Sequence, residues 1–301
     1  MVLTREIGWS PARKSGGPHL RKSGGSEPRK SRGPQPRKSG GSEPRKFCSK
    51  TLRGSHDGES AARELLAVFD QASGVVLNQV EIPAKGCEIA AVKPALAPLD
   101  IAGRVLTLDA LHTQVDTARY IVEEKHAHYL LTVKGNQPTL KADIDLLNLQ
   151  ATAAHFVTQE KAHGRLETRR IWSSTVLNGY LRFPHAAQVA CVQRQVLHIS
   201  KNKTTLETVY LISSLTRAQA SPEQLLELNR GHWGIEALHH VRDRAFDEDR
   251  CRARKGHAPR ALACLRNFAI SVLRLLNVRN IAAALRELAA DASRVLKVLG
   301  M

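Results

Sequence analysis

Two carboxylates lie where a divalent cation could be held, one at the end of a predicted strand and one on a predicted helix. Asp109 closes the apolar run "RVLTLD" at 104–109. A charged group at the C-terminal end of a buried parallel strand lies where open α/β sheets bind their ligands. Glu236 belongs to "RGHWGIEALHHVRD" at 230–243, and on a helix Asp243, seven residues later, shares its face. Oxygen ligands of this kind favour Mg²⁺ or Mn²⁺.

Two other interpretations are considered on the sequence alone: a capping role of Asp109, which stays open, and a zinc site, which is disfavoured. Asp109 could simply end its strand and cap the helix that follows, as acidic residues often do. His232, His239 and His240 would suggest zinc, but no cysteine lies near them and the segment has no H-E-x-x-H spacing. We therefore expect an oxygen-ligated cation rather than zinc.

The residues before and after these carboxylates predict an α/β sheet with parallel strands, because strand-like and helical patterns alternate. The predicted strands are 64–70, 74–82, 104–109 and 128–134, the first two forming a hairpin, and helical spacing covers 88–99, 114–125 and 139–149. The pattern then changes to strand-like runs from about 163 to 213, which predicts a β-rich insertion. Helical spacing returns at 222–243, as one helix or two, and at 258–276 and 280–297. Trp233 and Ile235 are expected to pack the Glu236 helix onto the core.

Composition bounds the class of protein. The chain has 301 residues and 42% hydrophobic residues, enough for a core built mainly from aliphatic side chains because only 4% are aromatic. Five scattered cysteines without a C-x-x-C pair are typical of a protein kept reduced in the cytosol. No secretory signal and no run of about 18 apolar residues is found, so no membrane partner is expected.

The net charge of +17 indicates a polyanionic partner, and the charge is concentrated at one end. Residues 1–50 hold 13 Lys+Arg and 3 Glu, a net +10, which leaves +7 for the other 251 residues. Arg-Lys recurs every eight residues from 13–14 to 45–46 with few apolar side chains, so residues 1–46 are predicted to be a disordered basic octapeptide-repeat tail. A translated DNA repeat or solvated tail is the favoured interpretation, and a nonspecific DNA-binding arm is the alternative.

Five segments together resemble the DDE transposases of bacterial insertion sequences, specifically the ISAs-type group, also called H-repeat-associated proteins. These segments are "KTLRGS" (50–55), "LTLDALHTQ" (106–114), "EKHAHYLLTVKGNQPTL" (124–140), "LTRAQASPEQL" (215–225) and "RGHWGIEALHHVRD" (230–243). They occur in the order of the family and cover nearly the whole body of the chain, from about residue 50 to about 290.

The resemblance implies a ribonuclease H-like mixed sheet with flanking helices and a β-rich insertion, here at about 160–214, before the last catalytic helix. It also implies DNA transposition by an Asp-Asp-Glu triad that holds two Mg²⁺ (or Mn²⁺) ions for cleavage and transfer of DNA strands. By motif, Asp109 is the second Asp and Glu236 the Glu, as catalytic and metal-binding residues.

The same motifs extend to residues around the triad. Asp243, His232 and Trp233 are candidate supporting residues near the Glu. Arg230 belongs to the same signature, and the family's V-K-x-N-Q segment corresponds to Lys134, Asn136 and Gln137. We expect these four residues to face DNA.

The first Asp of the triad is missing from the matching position. In the family, the strand before K-T-L-R-G-S ends in Asp-Gly-Lys-Thr, whereas this chain reads "FCSKT" at 47–51, with Cys48 in place of the Asp. A neutral thiol cannot replace a carboxylate that bridges two hard cations. Asp57 lies too far downstream, and Asp70 is the better substitute. We therefore predict an N-terminally truncated transposase with impaired catalysis, or alternatively a non-catalytic DNA-binding remnant.

The remaining expectations concern domains, partners and stability. The catalytic domain is predicted at 47–290, followed by a C-terminal tail at 291–301. The partners are double-stranded DNA of element ends and target and, in the active state, a second copy of the chain. The predicted location is the bacterial cytoplasm, with the nucleoid. Because "RKFCSKT" is a weak first strand for a central place in the sheet, we expect marginal folding.

Overall fold

The computed structural model describes residues 1–4, 49–56, 61–82 and 87–298. Most of the predicted repeat tail, and Cys48 with it, lies outside these described residues. Within the described ranges, no helix is both long enough and apolar enough to cross a membrane.

In the described ranges, ten strands form one mixed sheet, and most of them coincide with the apolar runs in the sequence. The strands are β1 (Val2–Thr4), β2 (Ser49–Thr51), β3 (Glu64–Asp70), β4 (Val75–Ile82), β5 (Val105–Leu108), β6 (His128–Val133), β7 (Phe156–Ala162), β8 (Arg165–Ser174), β9 (Gln188–His198) and β10 (Lys203–Ser213). The predicted hairpin is β3–β4, and the parallel pair expected from the alternating pattern is β5–β6.

Eight α-helices flank the sheet within the described part of the chain. They are α1 (Val92–Leu96), α2 (Val115–Arg119, continued by a π-helical turn over Tyr120–Glu124), α3 (Pro138–Leu146), α4 (Pro222–Gly231), α5 (Gly234–Ala245), α6 (Ala258–Leu275), α7 (Ile281–Ala290) and α8 (Ala292–Val298). Ser221 begins α4 with a complete capping box to Gln224. The segment 222–243, predicted as one helix or two, contains two helices, α4 and α5. α8 occupies part of the predicted C-terminal tail.

The central sheet differs from the prediction at its first strand. One edge of β3 pairs with β4 along the whole length of β3. The other edge of β3 pairs with both β2 and β1. β2 runs antiparallel to β3 and meets it at Glu64–Leu66, whereas β1 runs parallel and meets it at Phe69 and Asp70. β1 then pairs antiparallel with β5, so it bridges the two halves of the sheet.

The first residues of the chain are therefore part of the core and not of a tail. Met1, Val2 and Leu3 are buried, with at most 4% of their surface exposed. The backbone N–H of Phe69 donates to the carbonyl of Met1 at 3.0 Å, and that of Gln71 to Leu3 at 2.8 Å. The central place, for which the sequence predicts only the weak strand around residues 45–51, is filled by β1, a strand from a different part of the sequence.

The β-rich insertion is confirmed as two long antiparallel hairpins. β7 and β8 form one hairpin, and β9 and β10 form the other, which pairs over eleven residues. β8 pairs with β9 over ten residues and joins the two hairpins. Only the last four residues of β10, Tyr210–Ser213, pair with β6. The fold class agrees with the prediction in its large mixed sheet, its flanking helices and its β-rich insertion.

Candidate active site

Asp109 lies directly after β5, at the carboxyl edge of the parallel pair β5–β6. Its side chain accepts a hydrogen bond from the backbone N–H of Ala110, at the start of a short 3-10 turn over Ala110–His112. The capping role that the sequence left open is thus present. It does not occupy the whole carboxylate, because a carboxylate has two oxygens that accept hydrogen bonds.

The loop after Asp109 is held by the segment that follows β6. Asn136 donates from Nδ2 to the carbonyl of Ala110 at 2.5 Å, and Gln137 from Nε2 to the carbonyl of Thr113 at 2.8 Å. Thr113 in turn donates from Oγ1 to the carbonyl of Thr132, on β6, at 2.6 Å. These side chains fix the loop that carries Asp109, a role that the predicted DNA contact did not include. Lys134 is exposed at the same edge.

His232 follows α4 and lies within electrostatic reach of both predicted catalytic carboxylates. Thr107, on β5, lies with its Oγ1 3.1 Å from Nδ1 of His232. Burial lowers the pKa of His232 to about 4, while the nearby carboxylates of Asp109 and Glu236 partly oppose that shift. Both carboxylates are therefore within electrostatic reach of one imidazole ring, which stays neutral at pH 7.

The helix that carries Glu236 packs against the central sheet through its apolar face. Ile235 and Leu238 are each 1% exposed and belong to the same apolar cluster as Phe69 of β3. Glu236 itself is exposed, in the first turn of α5. The expectation that Trp233 would pack into the core is wrong, because 40% of its surface is exposed, whereas that for Ile235 is confirmed.

The other end of α5 is fixed by a buried ion pair. Arg242 donates from Nε and Nη2 to both carboxylate oxygens of Glu248 at 2.8 Å, and neither side chain is more than 1% exposed. Arg266, on α6, reaches the same carboxylate at 3.3 Å. Buried charges are tolerated when they are paired in this way, so the contact holds α5 and the following turn in one arrangement.

Asp243, the candidate supporting carboxylate, is engaged by a lysine. Lys50 Nζ lies 2.5 and 2.7 Å from the two carboxylate oxygens of Asp243 and 3.1 Å from Asp249. Lys50 belongs to β2, so this ion pair ties the start of the family-like region to α5, 193 residues later. Asp243 therefore neutralises a nearby cationic side chain.

Arg230, the candidate DNA contact at the end of α4, is also paired within the protein. Its guanidinium lies 2.7 Å from Glu160 of β7. Both side chains are partly exposed, at 36% and 51%, so the pair is weak and its stabilising effect is small. The contact places the β-rich insertion beside the helix pair that carries Glu236.

A further carboxylate near Asp109 was missed from the sequence. Glu88 is 8% exposed, and its Oε2 is buried without a hydrogen-bond partner among the described residues. Burial raises the pKa of Glu88, and the carboxylates of Glu64 and Asp109 raise it further. The sequence shows only that Glu88 is a charged residue at the start of the apolar helical spacing of 88–99. An acidic residue in the first turn of an ordinary helix gives the same pattern.

Asp70, proposed as a substitute for the missing Asp, lies at the wrong end of the sheet. β3 runs opposite to β5, so its last residue is at the edge away from Asp109. There its Oδ2 accepts from the backbone N–H of Ser73 at 2.9 Å and also from the Ser73 hydroxyl, which closes the β3–β4 turn. Asp70 therefore does not take the place of the missing first Asp of the triad.

The described residues do not fit the two-ion site that the family resemblance implies. Asp109 and Glu236 supply oxygen donors of the right chemistry for Mg²⁺. However, the described ranges hold no group of three or more His, Cys, Asp or Glu side chains that could bind a metal ion. Although Glu88 lies near Asp109, it does not complete such a group with Asp109 and Glu236, which leaves a pair of ions without its third protein bridge.

The family of the chain follows from its match to a model of the transposase DDE domain, which covers residues 34–272. The chain belongs to this family of DDE transposases. The fold, the position of Asp109 after a buried strand and the helix that carries Glu236 agree with that membership.

Two bacterial relatives carry names that describe them as transposases. The chain is 32% identical over 237 residues to "Putative transposase YncI" of Escherichia coli O157:H7, covering 75% of this chain and 60% of that protein. It is 30% identical over 239 residues to "H repeat-associated putative transposase YhhI" of Escherichia coli K12, covering 74% and 62%. The chain thus spans about three fifths of the length of these relatives.

One solved structure, a piggyBac transposase synaptic complex with hairpin DNA, is similar over 80% of this chain and 50% of that chain. Its TM-score is 0.45 and its sequence identity is 14%.

Proposed function

We propose that this chain is a transposase-family protein that binds double-stranded DNA, and that its metal-dependent strand cleavage and transfer are impaired. The observation that carries this proposal is the incomplete donor set. Asp109 and Glu236 both lie within electrostatic reach of His232, but the described residues contain no group of three or more His, Cys, Asp or Glu side chains that could bind a metal ion. β1, which fills the centre of the sheet, brings no acidic side chain, since its sequence is Val-Leu-Thr.

Restoring the missing acid is the direct test of impairment. Purified protein with Mg²⁺ or Mn²⁺ and DNA carrying its own element ends should show no strand cleavage. Cys48→Asp is expected to increase Mg²⁺ affinity, measured by titration calorimetry, because it returns a hard anionic ligand. Cys48→Ser is the matched control, since it changes the same side chain without adding charge.

Two results would overturn the proposal of impairment. One is robust cleavage by the unmodified protein that disappears in Asp109→Asn. The other is equal Mg²⁺ affinity of Cys48→Asp and Cys48→Ser.

The alternative is a DNA-binding protein without any catalysis, which the net charge of +17 favours. Binding through phosphate contacts releases counterions, so the affinity for DNA should fall steeply as salt concentration rises. Asp109→Asn and Glu236→Gln should then bind DNA as well as the unmodified protein. Absence of DNA binding, or binding independent of salt, would contradict both forms of the proposal. Action as a homodimer on paired DNA ends stays a proposal.

A further inference from the structure

We propose that the ends of the two insertion hairpins form a binding site for the phosphate backbone of double-stranded DNA. We call this site the hairpin tip and define it as residues 161–165 and 198–203. The inference rests on the proposed function in taking DNA as the partner, and it goes further by naming the surface that binds it.

The hairpin tip is built from two turns that lie side by side. Arg165 pairs with His198, which pairs with Lys203, so the two hairpins end at the same level of the sheet. The backbone N–H of Ile199 donates to the carbonyl of Gly164 at 3.0 Å and joins the turns. His163 and Gly164 both have positive φ, at 49° and 71°, as a tight two-residue hairpin turn requires. The tip is therefore a defined surface.

The charge of the hairpin tip has one sign. Lys161, Arg165, Lys201 and Lys203 are exposed, and the two segments contain no Asp or Glu. Within the described part of the chain, none of these four side chains has an acidic partner.

The acidic side chains nearest to the tip are already neutralised. Glu160 pairs with Arg230 at 2.7 Å, and Glu167 pairs with Arg194 at 2.8 Å. The hairpin tip consequently keeps four uncompensated positive charges, which an anionic backbone would complement.

The tip also projects from the edge of the sheet that carries Asp109. Tyr210 of β10 pairs with Val133, the last residue of β6, so residues 203–209 extend past the carboxyl end of β6. β5 is parallel to β6 and ends at that same edge. At about 3.4 Å per residue, Lys203 lies roughly 24 Å along the strand beyond the paired region. A duplex lying across the Asp109 edge would extend to the tip within about seven base pairs.

Lysine and arginine contacts to phosphate position a protein on DNA without reading its sequence. We therefore expect the hairpin tip to contribute affinity equally on any duplex. Each lost contact should reduce the steepness of the salt dependence, log K against log salt, by about 0.9.

The test compares two double variants of the full chain that remove the same charge from opposite edges of the sheet. Lys201→Gln/Lys203→Gln changes the tip. Arg104→Gln/Lys125→Gln changes residues that precede β5 and β6, at the edge away from Asp109. Affinities for two unrelated 30-base-pair duplexes are measured at several salt concentrations, and thermal melting checks that both variants fold.

The tip variant should lose roughly 2 units of salt slope on both duplexes, while the control variant keeps the slope of the unmodified protein. Equal salt slopes for the two variants would overturn the proposal that the hairpin tip binds DNA and would leave the proposed function intact. Failure of the unmodified protein to bind DNA would instead overturn the proposed function itself. Loss on only one duplex would show base readout and also contradict the inference.

Discussion

Asn136 donates its side-chain amide to the carbonyl of Ala110 at 2.5 Å, next to Asp109 in the chain. This bond, together with those of Gln137 and Thr113, links the segments that follow the two parallel strands β5 and β6. It shows that part of the family-like V-K-x-N-Q segment acts within the protein, by holding the loop that presents Asp109.

Asn136→Ala should loosen that loop. The substitution removes a donor worth about 1 kcal/mol and leaves the Ala110 carbonyl without this partner. Hydrogen exchange at the backbone amides of residues 110–114 should become faster, and the melting temperature should fall slightly. Lys134→Ala, at an exposed neighbouring position, is the control and should leave those amides unchanged. Equal exchange in the two variants would mean that Asn136 does not hold the loop.

Val2 provides the test of the unexpected central strand. Its side chain is fully buried between β3 and β5, so Val2→Asp would place an unpaired carboxylate in the core. Burial of an unpaired charge is strongly destabilising, so we expect a loss of several kcal/mol in the free energy of unfolding. Val176→Asp, at a position that is 75% exposed, should change stability by less than about 0.5 kcal/mol.

Denaturant unfolding followed by circular dichroism measures both valine variants. If Val2→Asp unfolds at the same urea concentration as Val176→Asp, residues 2–4 do not occupy the sheet. A cooperative thermal transition of the isolated segment 47–301 would contradict the marginal folding expected from the weak sequence "RKFCSKT".

Local pattern in the sequence predicted the elements well, and failed where distant segments meet. The runs that became β3 to β6 and the insertion hairpins alternate or are uniformly apolar, so their type follows from period and turn residues. β1 is three residues long and far in sequence from both partners, so no local signal indicates its pairing.

The candidate site divides in the same way. Asp109 and Glu236 were found because each lies in a motif, and the family resemblance fixes their order. The pairing of Lys50 with Asp243 spans 193 residues, and the burial of Glu88 depends on how its loop packs. Neither property is encoded in the residues adjacent in sequence, so only the folded chain reveals them.

Compared with the unmodified protein, the Glu88→Gln variant should become more stable as pH rises. Burial first, then Glu64, raises the pKa of Glu88 above 4.5, so the folded state holds this proton more tightly than the unfolded state. Stability from this group is complete below pH 4.5 and is lost as pH rises through the raised pKa. Glutamine keeps the shape without the charge, so the melting temperature of the variant minus that of the unmodified protein should increase from pH 4.5 to 8.

Glu227→Gln, at an exposed position of α4, is the matched control for Glu88→Gln and should give a difference that does not change with pH. A flat difference for Glu88→Gln as well would show that its carboxyl group is not perturbed by the fold.

Three histidines make the fold sensitive to acid: His112 is buried, and His232 and His239 are half-buried. Burial is the main cause that lowers the pKa of His112 and of His239 to about 3, and of His232 to about 4, from 6.5. Below pH 6.5 the unfolded chain therefore binds protons that the folded chain does not. Stability is complete above pH 6.5 and falls as pH decreases toward 4, by up to about 1.4 kcal/mol per pH unit for each histidine.

His112→Gln separates this effect from general acid unfolding. His112 is 1% exposed, and its Nδ1 has no hydrogen-bond partner among the described residues, so the variant removes one buried group that must titrate. Urea unfolding at pH 7, 6 and 5 gives the free energy of unfolding. In His112→Gln this free energy should depend on pH less steeply than in the unmodified protein, by the uptake of about one proton. His163→Gln, in the exposed turn of the hairpin tip, should keep the original slope. If both variants keep that slope, His112 titrates normally in the folded protein, and its burial does not contribute to the acid sensitivity.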